Sequence, residues 1–83
     1  MARILRQPAV LDRYGKTRSP FYCDVAQGLF TRGVRLGARA VGWPEHEVEA
    51  IVQARIRGDD EKTIRRLVQQ LHEARASVTA EAA

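Results

Sequence analysis

The chain has 83 residues and a formal net charge of +4, which leaves room for one domain with a small core. The charge is uneven: eight bases stand against two acids before Pro44, and six against eight from there on, so the front half offers a basic face suited to a polyanion. Cys23 is the single cysteine, which excludes an internal disulfide framework, and no apolar run reaches membrane-span length or forms a signal-peptide core, so a cytoplasmic location is expected.

In chain order, Pro8 suits the first turn of a helix, where its missing N–H costs nothing. Val10, Leu11 and Tyr14 then make one apolar face, and Gly15 stops the helix after about two turns. Gly15-Lys16-Thr17 connects to a second helix ending at Gln27-Gly28, capped by Thr17 or Ser19 and tolerant of Pro20 in its first turn. Phe21 and Val25 share its inward face, while Arg18, Ser19 and Tyr22 lie toward its N-terminal end and the other side. Two short helices joined by a Gly-containing turn form a helix-turn-helix signature, in which the start of the second helix meets base edges. Cys23 is expected to be a small buried or half-buried thiol.

Leu29-Phe30 should anchor the loop that leads to the stretch from Gly33 to Trp43. There Val34 and Leu36 alternate with Arg35, Gly37-Ala38 offers a turn, and Arg39 and Val41 return, with a bulge expected near Ala40. The result is a two-stranded ribbon with an arginine on each arm and Trp43 as a core anchor at its base. Such a ribbon is marginal alone and must pack on helices. Pro44 opens a third helix, with Glu45, Glu47 and Glu49 at its positive end, Arg55 and Arg57 at its negative end, and Val48, Ile51 and Val52 as its buried stripe. Gly58 ends it. Asp59 or Asp60 caps a fourth helix whose stripe runs through Ile64, Leu67, Val68 and Leu71 toward Ala74 and Val78. Residues 79–83 are expected to be disordered. The chain thus divides into 1–58, a winged helix-turn-helix domain, 59–78, a C-terminal helix packed on the core or on a partner, and the 79–83 tail.

The fold class expected is mainly α with a small β-hairpin wing. Arg18, Ser19 and Tyr22 are candidates for base-edge or phosphate contacts against the simpler reading of a solvated helix face. Arg35 and Arg39 are candidates for gripping phosphate or a minor groove, since a guanidinium suits bidentate phosphate contact. Lys16, Thr17 and Arg32 complete the candidate DNA-binding set. No catalytic, metal or cofactor site is expected. His46-Glu47 opens like a zinc-protease H-E-x-x-H, but Ala50 stands at the second ligand position. Cys23 with a histidine lacks an orienting acid or an oxyanion loop, and His72 is expected to be idle on a polar helix face.

Three stretches make the chain resemble the AlpA family of phage-type regulators, small winged-helix proteins related to excisionases and to the DNA-binding heads of MerR-type regulators. Leu5-Arg6-Gln7-Pro8-Ala9-Val10 is similar to the family's L-R-x-P-E-V. Gly15-Lys16-Thr17-Arg18-Ser19-Pro20-Phe21-Tyr22 is similar to G-L-S-R-S-T-I-Y. Val34 to Trp43 runs close to V-K-L-G-x-R-A-V-G-W. Lys16 stands where the family usually has leucine, Cys23 where it often has a long polar residue, and Thr31 and Gly33 where it has prolines. The resemblance implies sequence-specific double-stranded DNA binding by a transcriptional regulator or excision accessory factor, with an integrase as a further partner. The fourth-helix stripe, and the few base pairs that one such module reads, point separately to self-association or cooperative binding on DNA. The alternative is a protein-interaction module that uses the fourth helix and keeps the winged fold as scaffold.

Overall fold

The computed structural model describes the backbone of residues 3–82 and the side chains of residues 3–76. The described elements are β1 (Ile4–Arg6), α1 (Gln7–Tyr14), α2 (Arg18–Ala26), β2 (Val34–Arg35), β3 (Val41–Pro44), α3 (Glu45–Arg57) and α4 (Glu61–Ala82). This is a winged helix-turn-helix with an added C-terminal helix. The turn depends on Gly15, whose φ of 77° lies in the left-handed region and whose N–H closes α1 on the Leu11 carbonyl.

The sheet has three antiparallel strands in the order β1-β3-β2, so β3 is central. β1 went unseen in the sequence because three residues carry too little alternation to register as a strand. It pairs Ile4, Leu5 and Arg6 with Pro44, Trp43 and Gly42. In the wing, Val34 pairs with Gly42 and Arg35 with Val41, and the Leu36 N–H donates to the Ala40 carbonyl at 2.8 Å. That register is unbroken, so the bulge expected near Ala40 is absent. Arg39 consequently lies in the connecting loop and not on a strand. At Gly33 any Cβ would collide with Val41 and crowd the Trp43 ring.

Phe21, Phe30 and Trp43 form the centre of the core with Val10, Val48, Ile51 and Ile64. The Phe21 ring meets Trp43 edge-on at 5.3 Å and Phe30 at 4.9 Å. The Trp43 indole N–H donates to the Thr31 carbonyl at 2.9 Å. Thr31 itself is fully buried, and its hydroxyl has no hydrogen-bond partner among the described residues. Cys23 is exposed, against expectation. On α2 the inward positions are Phe21, Asp24 and Val25, at i, i+3 and i+4, which turns Cys23 away.

α3 follows β3 without a loop, with Glu45 and Glu47 in its first turn and Arg55 and Arg57 in its last. Glu47, one of the three acids expected at the positive end of this helix, is fully buried. It shares the inward face of α3 with Val48, Ile51 and Ala54. α4 starts where the Asp60 carboxylate accepts the Thr63 N–H at 2.8 Å, a contact that holds that carboxyl below its ordinary value. Ile64 and Val68 join the core, and Leu67 and Leu71 pack partly buried against it. Ala74 is exposed, and the Val78 side chain lies outside the described residues. α4 continues to Ala82, past the end expected at Val78, through Thr, Ala and Glu residues that include no helix breaker. Ala83 lies outside the described residues.

The stripe on α4 ends in a charge. Arg75 continues the Ile64, Val68, Leu71 spacing and meets Glu47 with two hydrogen bonds, from Nε at 2.8 Å and from a terminal nitrogen at 2.5 Å. The Glu47 side chain is fully shielded, whereas that of Arg75 retains 25% of its exposure. Removing the arginine strands a buried carboxylate, while removing the glutamate leaves a cation that still reaches water. Arg75→Ala is therefore expected to lower stability by about 3–5 kcal/mol in denaturant titrations, and Glu47→Ala by distinctly less. Equal losses would show that packing, and not an unpaired buried charge, sets the cost.

Candidate nucleic-acid interface

The bases of the front half fall into two sets. Arg3 and Arg13 are paired with Glu45, and Arg13 also with Glu49, on the side where α1 meets α3. Lys16 donates to the Asp24 carboxylate at 2.7 Å and lies over the Tyr14 ring at 5.4 Å. Arg6, Arg18, Arg32, Arg35 and Arg39 make no ion pair with any described residue. These five are the bases of the first half that have no acidic partner among the described residues.

Lys16 is engaged because α2 buries an acid. Asp24, only 7% exposed, also accepts the Tyr14 hydroxyl at 2.7 Å and lies 3.9 Å from Arg55. Burial works to raise the Asp24 carboxyl, but the hydrogen bonds from Lys16 and Tyr14 and the charges of Lys16 and Arg55 outweigh it and hold the group below its ordinary value. Burial and the bond to Asp24 push the Tyr14 phenol up to about 12. This network ties the two helices of the helix-turn-helix to the last turn of α3, through the Arg55 donation to the Tyr14 oxygen at 3.1 Å. Sequence spacing marks Asp24 only weakly, as an acid three residues after Phe21 on the inward face.

At the start of α2, Thr17 occupies the cap position without its side chain bonding to the helix amides. Arg18 and Ser19 follow it in the exposed first turn. Tyr22 is 43% exposed, and its oxygen accepts a hydrogen bond from Gln7 Nε2 at 2.6 Å. Arg6, Gln7, Arg18, Tyr22 and Arg39 line one open cleft of about 280 Å³ between the start of α2 and the wing. Val41 lines the same cleft, and because Arg35 is its cross-strand partner the Arg35 side chain projects from that face of the sheet. The structure thus brings Arg18, Tyr22 and Arg39 together and places Arg35 beside them. Arg6 and Gln7 were missed by sequence reasoning. Arg6 ends β1 and Gln7 opens α1, so both sit at the very start of the helix-turn-helix, and the pairing of β1 with β3 brings them to the cleft.

Arg32 sits at the other end of the wing's approach, where α4 holds its backbone. Its N–H donates to His72 Nε2 at 3.1 Å and its carbonyl accepts from Arg75 at 2.8 Å. About two turns back along α4 from His72, Arg65 donates to the Gln27 carbonyl at 2.9 Å. α4 therefore straps down the segment from the end of α2 to the start of the wing, and His72 is a structural acceptor where an idle residue was expected.

No group of three or more His, Cys, Asp or Glu among the described residues is placed to hold a metal ion. No helix among them is long and apolar enough to cross a membrane.

The family described as prophage CP4-57 regulatory protein (AlpA) matches residues 3–56, well over half of the chain. The chain belongs to the AlpA family. A curated relative, the uncharacterized protein ORF88 of Enterobacteria phage P4, is 39% identical over 56 residues, or 68% of this chain and 64% of the relative. The chain thus spans less than two thirds of that relative's length. No solved structure gives a significant match. The AlpA match covers the helix-turn-helix, the wing and nearly all of α3. The α4 strap lies beyond it.

A pH dependence is expected of the strap, because His72 accepts the Arg32 N–H with its Nε2 and protonation would remove that acceptor. Burial and the nearby charges of Arg75 and Arg32 lower the His72 pKa below its ordinary 6.5, with Glu47 opposing them. A histidine that binds its proton less readily when folded favours the unfolded chain on acidification, so its contribution is complete above about 6.5 and is lost below it. Stability is expected to fall as the pH drops below about 6.5, the ordinary histidine value. His72→Gln, which keeps an acceptor but does not titrate, should flatten that fall in thermal melts. An unchanged pH profile in the variant would move the effect to other groups.

Proposed function

We propose that the protein is a sequence-specific double-stranded DNA-binding regulator of phage or mobile-element type. It acts in transcription or as an excision accessory factor beside an integrase. The observation that carries the reading is the set of arginines without ion pairs on the helix-turn-helix and wing of an AlpA-family chain. A surface that pairs Arg3, Arg13 and Lys16 with acids and leaves Arg18, Arg35 and Arg39 bare is arranged for an external anion. The start of α2 enters a major groove, where Arg18 and Ser19 reach base edges and the Thr17 hydroxyl meets the flanking phosphate. Arg35 and Arg39 follow the neighbouring backbone from the wing, and Arg32 extends that track. Lys16 serves the interface indirectly, by fixing the turn through Asp24.

The reading is tested by titrating the protein with duplex DNA at several salt concentrations. Contact with about four to six phosphates gives a slope of log K against log salt of roughly −4 to −5. Arg18→Ala is expected to cost about 1–3 kcal/mol on the specific site and little elsewhere. Arg35→Ala should weaken specific and non-specific binding alike. A flat salt titration would refute the proposal, and loss of only specific binding in Arg35→Ala would reverse the roles of helix and wing.

A further inference from the structure

The cleft between α2 and the wing differs from the rest of the basic face. It collects Arg6 from the end of β1, Arg18 from the start of α2 and Arg39 from the wing loop, and no carboxylate lines it. The chain has acids nearby, since Glu45 and Glu49 pair with Arg3 and Arg13, yet Arg6 and Arg39 receive none among the described residues. Like charges gathered at one concavity raise one another's cost, and an anion in the cleft relieves it.

The hydroxyl at this site is also oriented. Because Gln7 donates to the Tyr22 oxygen, the phenolic proton is left to point elsewhere, and Tyr22 acts toward a ligand as a donor. The Tyr22 donor and the guanidiniums of Arg6 and Arg39 meet the requirement of phosphate oxygens, which only accept.

We infer that this cleft seats a single backbone phosphate of the bound duplex, gripped jointly by Arg6 and Arg39 and by the Tyr22 hydroxyl that Gln7 orients. Arg6 and Gln7 thereby become part of the interface, and one phosphate joins the β1–α1 corner, α2 and the wing. The inference rests on the DNA-binding reading, and it deepens that reading by assigning two residues to one group instead of two.

Counterion release separates these cases. The salt slope reports how many phosphates are neutralised, at about 0.9 each, and not how many cations touch them. With a shared phosphate, Arg6→Ala and Arg39→Ala singly weaken binding but leave the slope nearly unchanged, while the double variant lowers it by about 0.9. Arg66→Ala, which removes an exposed α4 arginine outside the cleft, should change neither. Gln7→Ala and Tyr22→Phe should each weaken binding several-fold without altering the slope, and their double variant should lose no more than the larger single loss. Both arginines are exposed, so thermal melts should match wild type and exclude misfolding.

Additive slope losses of about 0.9 for each arginine would mean two phosphates and overturn the shared seat. No change in binding for either arginine variant would take the cleft out of the interface. Additive losses for Gln7 and Tyr22 would remove Gln7 from its orienting role. A wild-type protein that binds duplex DNA without salt dependence overturns the DNA-binding reading itself, and the seat with it. That failure appears before any variant is compared.

Discussion

The contact between Trp43 and Phe21 fixes where the wing stands relative to the second helix of the turn motif. Trp43 lies on the central strand, paired through the backbone with Leu5 on one side, and one residue from Gly42, which pairs with Val34 on the other. Its ring reaches Phe21 of α2, and its N–H is held by the Thr31 carbonyl just before the wing. An indole buried with its one donor satisfied is both a large apolar anchor and an orientation constraint. Helix, sheet and loop therefore share one side chain, and the cleft that carries the arginines is the outer edge of that junction.

Two buried acids then decide which charges are structural. Glu47 draws Arg75 across from α4, and Asp24 draws Lys16, Tyr14 and Arg55 around the turn. Neither arrangement makes the protein stable by its ion pair alone, because desolvation offsets much of the attraction. Their effect is to set position: α4 against the wing's approach, and α1 against α2. Asp24 on Lys16, together with Glu45 and Glu49 on Arg3 and Arg13, also lowers the basic charge open to a ligand, so the excess before Pro44 overstates the candidate interface and the guanidiniums without ion pairs describe it better.

Much of the architecture was legible because it is written in local signals. Pro8, Gly15, Gly58 and Asp60 act where their chemistry places them, and the stripes of α1, α3 and α4 follow helical spacing. The charged core was less legible. Arg75 sits on the α4 stripe at the spacing of an apolar residue, and Glu47 sits on the inward face of α3, yet only the packing of α3 on α4 brings them together. β1 is too short to read, and without it Arg6 and Gln7 have no visible link to the wing. The bulge was inferred from an assumed position of Arg39 on a strand; once Arg39 lies in the loop, the register needs none.

In the proposed function it is the guanidiniums without ion pairs on the helix-turn-helix and wing, and not basic charge in general, that meet duplex DNA. Lys62 and Arg66 on α4 provide the contrast, being exposed and without an ion pair among the described residues but remote in sequence from the cleft. The most direct measurement is the perturbation of backbone amide NMR signals on adding a duplex. The changes are expected to concentrate at Gln7, at Arg18 to Tyr22 and at Arg35 to Val41, with the amides around Lys62 and Arg66 unmoved. Changes centred on Lys62 and Arg66, with the start of α2 and the wing silent, would contradict it.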